Sequence, residues 1–176
     1  PMRWGNKPTD GGALLLTAEE LQVFLKAEPG AEKFIRPFIS GGDFIDGVDR
    51  YCLWLVDASP ADLRGLPKVL ERVEAVRKFR SESKAPSTQA YAAYPTRFRQ
   101  IAQPASAYLA VPEVSTERRD YIPMDFVSPS VICRTQMTFV RAARTLPCGV
   151  RYTRITRAGL GRHGGHVERR CRLAIN

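Results

Sequence analysis

From position 66 to position 79, Leu66, Val69, Leu70, Val73, Val76 and Phe79 recur three or four residues apart, and Glu71, Arg72, Glu74, Arg77 and Lys78 fill the gaps. That spacing draws an apolar stripe and a charged stripe on opposite sides of a helix. Pro67 marks the first turn, where a missing N–H leaves nothing unsatisfied. A helix with such a stripe must lie against something, so the segment demands a folded core. Lys68, Arg72, Lys78 and Lys84 are expected on the solvated side.

The remaining signals are local. Thr17-Ala18-Glu19-Glu20 is a capping box that opens a helix with Leu21, Phe24 and Leu25 on one face, and Pro29-Gly30 stops it. Leu14-Leu15-Leu16 reads as a strand or a buried turn. Ala31 to Ile39 reads as a second short helix closed by Gly41-Gly42. Phe44-Ile45, a turn at Asp46-Gly47 and the apolar run 51–56 read as a hairpin, with Trp54 in the core. Ser59-Pro60 caps and opens another short helix. Residues 86–104 look loosely structured, 108–111, 121–122 and 131–140 look like strands, and 115–120 is a polar link. The class is mixed α/β: short helices on a mixed sheet in one domain.

A length of 176 residues suits one domain, and 44% apolar with 26% charged residues is the balance of a soluble globular protein. No run of 18 apolar residues offers a membrane-spanning helix, and the first eight residues lack the apolar core of a signal peptide. The chain begins with Pro1, which predicts a piece of a longer reading frame. Cys52, Cys133, Cys148 and Cys171 have no framework spacing, so a cytoplasmic, reducing compartment is expected. The net charge of +9 is unevenly placed. Ten arginines and a single acid, Glu168, lie from Arg134 onward, and the first 133 residues are balanced. Global charge is therefore weak evidence for a polyanionic partner.

Several stretches resemble the target recognition domain of MmeI-like restriction–modification enzymes. They are Gly5-Asn6-Lys7-Pro8-Thr9-Asp10-Gly11-Gly12, Phe34-Ile35-Arg36-Pro37-Phe38-Ile39, Cys52-Leu53-Trp54-Leu55-Val56-Asp57, Val73-Glu74-Ala75-Val76-Arg77, and Ser115-Thr116-Glu117-Arg118-Arg119-Asp120-Tyr121-Ile122-Pro123. Their order and spacing agree over about residues 4–140. The resemblance implies a domain that reads duplex DNA beside an adenine-N6 methyltransferase domain of the same parent chain. S-adenosylmethionine and the flipped adenine would be held by that neighbour. This chain has neither a Gly-x-Gly cofactor loop nor an Asn-Pro-Pro segment, so no catalytic residue is assigned to it and whether it counts as an enzyme is left open.

Reading bases in the major groove takes Arg, Lys, Asn or Gln that bond paired edges, and cations or N–H groups that grip phosphates. Two clusters fit. Arg97, Arg99, Gln100 and Gln103 flank Phe98 in a Pro-bounded stretch. Glu117, Arg118 and Arg119 lie on the polar link, with Glu117 and Arg119 on one side of an extended segment. Asn6 and Lys7 are candidates for phosphate, their flanking glycines allowing close backbone approach; a domain-linking turn is the plainer reading of that segment. Solvated arginines and surface ion pairs are the plainer reading of both clusters.

Other chemistry finds little support. Glu82-Ser83-Lys84 matches a common nuclease triplet but falls at a helix end, where a strand is needed. Cys133, Cys148, His163, His166 and Cys171 lack the paired spacing of a zinc site, and both histidines lie in the tail, which excludes a Ser-His-Asp arrangement. That tail, from about Arg141, departs from the family pattern. It is rich in Arg, Gly, His and Cys without Lys, and reads as a frameshifted segment or as a poorly ordered basic DNA-binding tail. The expected layout is a connecting loop at 1–12, a recognition domain at 13–140 and an atypical tail at 141–176. The alternative to DNA reading is an α/β module that contacts other proteins.

Overall fold

The structure is a computed structural model, and it describes residues 2–114, 121–141 and 170–174. In chain order the elements are β1 (Met2–Trp4), β2 (Leu15–Thr17), α1 (Ala18–Ala27), a 3-10 turn (Pro29–Phe34), β3 (Ile35–Ile39), α2 (Gly41–Asp46), β4 (Arg50–Leu53), α3 (Pro60–Arg64), α4 (Pro67–Ser81), α5 (Pro86–Gln89), a second 3-10 turn (Ala90–Ala93), β5 (Tyr108–Pro112), β6 (Tyr121–Val127), β7 (Ile132–Cys133), β8 (Met137–Arg141) and β9 (Arg170–Ala174). The mixed α/β class holds, with the strands sorted into two sheets.

The smaller sheet runs β2-β4-β3-β7, with β7 parallel to β3 and the other pairs antiparallel. Helices α1, α3 and α4 lie on it around Leu14, Leu53, Leu55 and Phe38. The larger sheet runs β1-β8-β5-β6-β9, every pair antiparallel. One of its faces buries Tyr108, Ala110, Met137 and Phe139 against Phe44 and Cys133, and the other carries Leu109 and Met124.

Helix starts follow the sequence. Thr17, Ser40 and Ser59 each cap a helix through a reciprocal bond with Glu20, Asp43 and Asp62. The start of α4 has no cap of its own. The Glu28 carboxylate, reaching in from the end of α1, accepts the Lys68 and Val69 amides instead at 2.6 and 3.0 Å.

Four expectations need correction. Residues 35–39 form a strand rather than a helix: Ile35, Phe38 and Ile39 suit a pleated surface, and Pro37 sits where β7 no longer pairs, so its missing N–H is tolerated. Phe44 and Ile45 are helical, because the Ser40–Asp43 capping box opens α2 and the left-handed Gly47 (φ 76°) ends it. Residues 131–140 split at Arg134 into β7 and β8, one strand in each sheet. On α4 the buried stripe is Val69, Val73, Val76 and Arg80, whereas Leu70 and Phe79 are exposed. Arg72 is also drawn in: it donates to the Ala13 and Leu15 carbonyls and stands 5.2 Å over the Phe24 ring.

The opening segment, expected to be a loop, contributes strand β1 to the larger sheet. At the far end, Arg170–Ala174 pairs antiparallel with β6 at the edge of the larger sheet. Residues 142–169 lie outside the described residues.

Candidate nucleic-acid interface

The segment 94–103 is not loose. Phe98 plugs the core, edge-on to Trp54 at 5.0 Å and to Phe38 at 6.3 Å between ring centres. A buried aromatic of this kind contributes roughly 1.5–3 kcal/mol. Both ends of the segment are then fastened by side chains that come from elsewhere.

At the leading end, the fully buried Arg80 guanidinium makes five hydrogen bonds, all to backbone carbonyls. Nε donates to Thr9 (2.8 Å), Nη1 to Tyr91 (3.3 Å) and Tyr94 (2.8 Å), and Nη2 to Pro8 (2.9 Å) and Arg97 (2.8 Å). Its carbon lies 5.5 Å from the centre of the Tyr91 ring. Arg has five N–H donors, so all of them are satisfied. Burial draws the group below its ordinary pKa, and the charge of Asp10 opposes that shift. The sequence gives one sign of Arg80: it continues the 69-73-76 spacing that buries α4.

At the trailing end, Asn6 is fully buried. Its Nδ2 donates to Gln103 Oε1 (2.9 Å) and the Cys133 carbonyl (3.1 Å), and its Oδ1 accepts the Ala102 amide (2.8 Å). Gln103 Nε2 donates to the Pro129 and Val131 carbonyls, both at 2.8 Å, and Gln100 Nε2 donates to the Gly5 carbonyl at 3.0 Å. Asn6, Gln100 and Gln103, expected to meet DNA, thus hold the protein's own backbone. Gly5 is required beside them, since a Cβ there would lie 2.1 Å from the Arg134 carbonyl oxygen.

The cations remain. Arg97 is exposed, and its guanidinium has no partner among the described residues. Lys7 is exposed and bridges antiparallel to Gln100, so Lys7 and the 97–100 segment share one local ladder. Arg99 is half-buried, with Nη1 donating to Thr88 Oγ1 (3.1 Å) and Nη2 to Ser87 Oγ (2.9 Å). Beside this ladder lies a shallow depression lined by Arg3, Trp4, Gln100, Ala102 and Thr138, where Trp4 is 66% exposed. None of the five ion pairs among the described residues involves Arg3, Lys7, Arg97 or Arg99. Cations left out of ion pairs are what a phosphate backbone attracts. Glu117, Arg118 and Arg119 lie outside the described residues.

Nucleophilic chemistry has no foothold in the described thiols. Burial pushes the Cys133 thiol up to about 11 and raises Cys52 further, so neither ionises near neutrality. Among the described residues no cluster of His, Cys, Asp or Glu is arranged for a metal. The candidate ligands Cys148, His163 and His166 lie outside the described residues.

Comparison with known proteins supplies a context for this surface. Residues 1–175 match the family model described as the target recognition domain of MmeI, so the likeness runs on through the segment from about Arg141, which was expected to depart from the family pattern. The chain is 30% identical over 154 residues to DNA methyltransferase A of Bacillus subtilis (strain 168), covering 88% of this chain and 18% of that protein. It is 42% identical to the Type IIL restriction-modification enzyme MmeI solved in complex with DNA, at a TM-score of 0.79, covering 81% of this chain and 19% of that one. The chain therefore spans about a fifth of the length of these relatives.

Proposed function

Because the chain belongs to the family of MmeI target recognition domains, we propose that it reads duplex DNA for an adenine-N6 methyltransferase domain in the same polypeptide. The observation that carries this reading is Arg97, a free guanidinium on a backbone fixed at its own carbonyl. An Arg so placed can bond O6 and N7 of a guanine together, at no further cost in loop ordering. Lys7 and Arg3 grip phosphate and set the register. Glu117 and Arg119 form a second reading element, Glu accepting from cytosine and Arg donating to guanine, with Arg118 on the backbone. Arg99, held by two hydroxyls, supports Arg97 and adds positive field.

In this proposal S-adenosylmethionine and methyl transfer belong to the methyltransferase domain, a reading supported by the name of the Bacillus relative. The two buried, unpaired thiols accord with the cytoplasm as the site of action.

Selection from a pool of randomised duplexes tests the proposal on the full-length protein. The wild type should enrich a defined sequence, and Arg97→Ala should weaken that duplex by about 1–3 kcal/mol and relax one base position. Lys7→Ala should weaken all duplexes alike and lower the salt slope by about one. Enrichment of no sequence by the wild type would sink the proposal, and an absence of any DNA binding would favour a protein-contacting module.

A further inference from the structure

Two of the five carbonyls around Arg80, those of Pro8 and Thr9, directly follow Lys7 in the chain. The other three, of Tyr91, Tyr94 and Arg97, run along the segment that ends on the exposed guanidinium. Main-chain bonds continue this connection, with the Arg99 amide donating to Pro8, and Lys7 and Gln100 exchanging amide and carbonyl at 3.0 and 3.1 Å. One buried cation therefore joins the phosphate-gripping and base-reading parts of the surface. We infer that Arg80 is a positioning residue for sequence discrimination: it fixes the spacing between Lys7 and Arg97 without touching DNA. This rests on the assignment of Arg97 as a base reader.

The physical argument concerns donor number and shape. A guanidinium is a planar fork with five N–H groups, and here each donates to a backbone carbonyl, with no carboxylate among its hydrogen-bond partners. Lysine retains the charge but has three donors, so at least two of the five carbonyls lose their partner. A carbonyl released from its donor lets its peptide rotate, and Arg97 sits on one of those peptides. Misplacement by about an ångström is enough to lose a paired contact to a base edge. Phosphate contact by Lys7 tolerates such a shift, because a flexible ammonium needs only proximity.

The test uses the full-length protein and duplexes selected by the wild type, with random duplex as reference. Arg80→Lys should melt as a folded protein and bind random duplex within twofold of the wild type, with an unchanged salt slope. Its preference for the selected duplex should fall at least tenfold. In a double-mutant cycle, Arg80→Lys added to Arg97→Ala should cost little more discrimination than Arg97→Ala alone, since both act on one contact. Wild-type discrimination by a folded Arg80→Lys overturns the inference, as does an equal loss on selected and random duplexes, the mark of a merely structural role. Should Arg80→Lys not fold, hydrogen exchange of the wild type decides. The Tyr94 and Arg97 amides should be protected like those of α4, and exchange at the rate of an unstructured peptide overturns the inference. If Arg97→Ala leaves discrimination intact, the base-reading assignment itself has failed, and this outcome is distinct from a failure of Arg80 alone.

Discussion

The Glu28 carboxylate accepts the backbone amide of Val69 at 3.0 Å across 41 residues of sequence, and it takes the neighbouring Lys68 amide as well. Helix α4 is therefore capped from outside. The caps of α1, α2 and α3 come from the residue just before each helix, and the cap of α4 comes from the turn after α1. This ties the helix that carries Arg80 to the first helical layer.

Glu28→Ala leaves two N–H groups at a partly buried helix start without an acceptor, beside a helix dipole that favours a negative charge. A loss of about 1–3 kcal/mol is expected in denaturant unfolding. Glu28→Gln, which keeps one acceptor oxygen, should lose less. Equal stability of Glu28→Ala and the wild type would show that water replaces the cap.

The two glycines Gly5 and Gly12 should respond differently to alanine. At Gly5 the added methyl meets two backbone carbonyls, so β1 must part from the turn at Arg134. On the order of 2 kcal/mol or more is expected, with loss of the Asn6 bonds. At Gly12 (φ 88°) nothing lies within 4 Å, and only the left-handed backbone resists, at roughly 1 kcal/mol. Thermal melting of the two variants side by side checks the order.

How much of this was legible depended on distance along the chain. Capping boxes span four residues, so the starts at Thr17 and Ser59 could be read directly. The Ser40-x-x-Asp43 box was equally visible, but Asp46-Gly47 signals a hairpin turn as well as a helix end, since both use a left-handed glycine. Ile35 to Ile39 is a short apolar run, which periodicity cannot assign. The cationic content of the candidate surface was plain from Lys7, Arg97 and Arg99. That Asn6 and Gln103 serve the scaffold was not, because Asn6 bonds partners 97 and 127 residues away.

These amides yield a prediction of their own. Asn6→Leu or Gln103→Ala strands buried carbonyls and amides and should destabilise the fold by about 1–3 kcal/mol. At temperatures where the variants remain folded, their preference among duplexes should match the wild type. A selective change in preference with unchanged stability would return both residues to the reading surface.

Asp43 gives the pH dependence. Burial works to raise its pKa, but hydrogen bonds from Ser40 and from Arg50 at 2.8 Å outweigh it, and the net shift is downward. The unfolded group titrates near its ordinary value of 3.8, so the stabilisation is complete above that pH and is lost as pH falls through the lower folded value. Stability should therefore decline in the window below about pH 4, and Asp43→Asn should flatten that decline. An acid limb identical in both proteins would assign it to other carboxylates.

The place of Pro8 and Thr9 around Arg80 bears on where the unit can be cut. A version starting at Ala13 would leave a desolvated positive group with three acceptors instead of five, and would take the partners of Ala102, Gln103 and the Cys133 carbonyl away with Asn6. The first dozen residues are thus internal scaffolding by structure, whatever their turn-rich composition suggests. A trimmed version should keep every residue from Met2 onward, because Met2–Trp4 also pairs with β8.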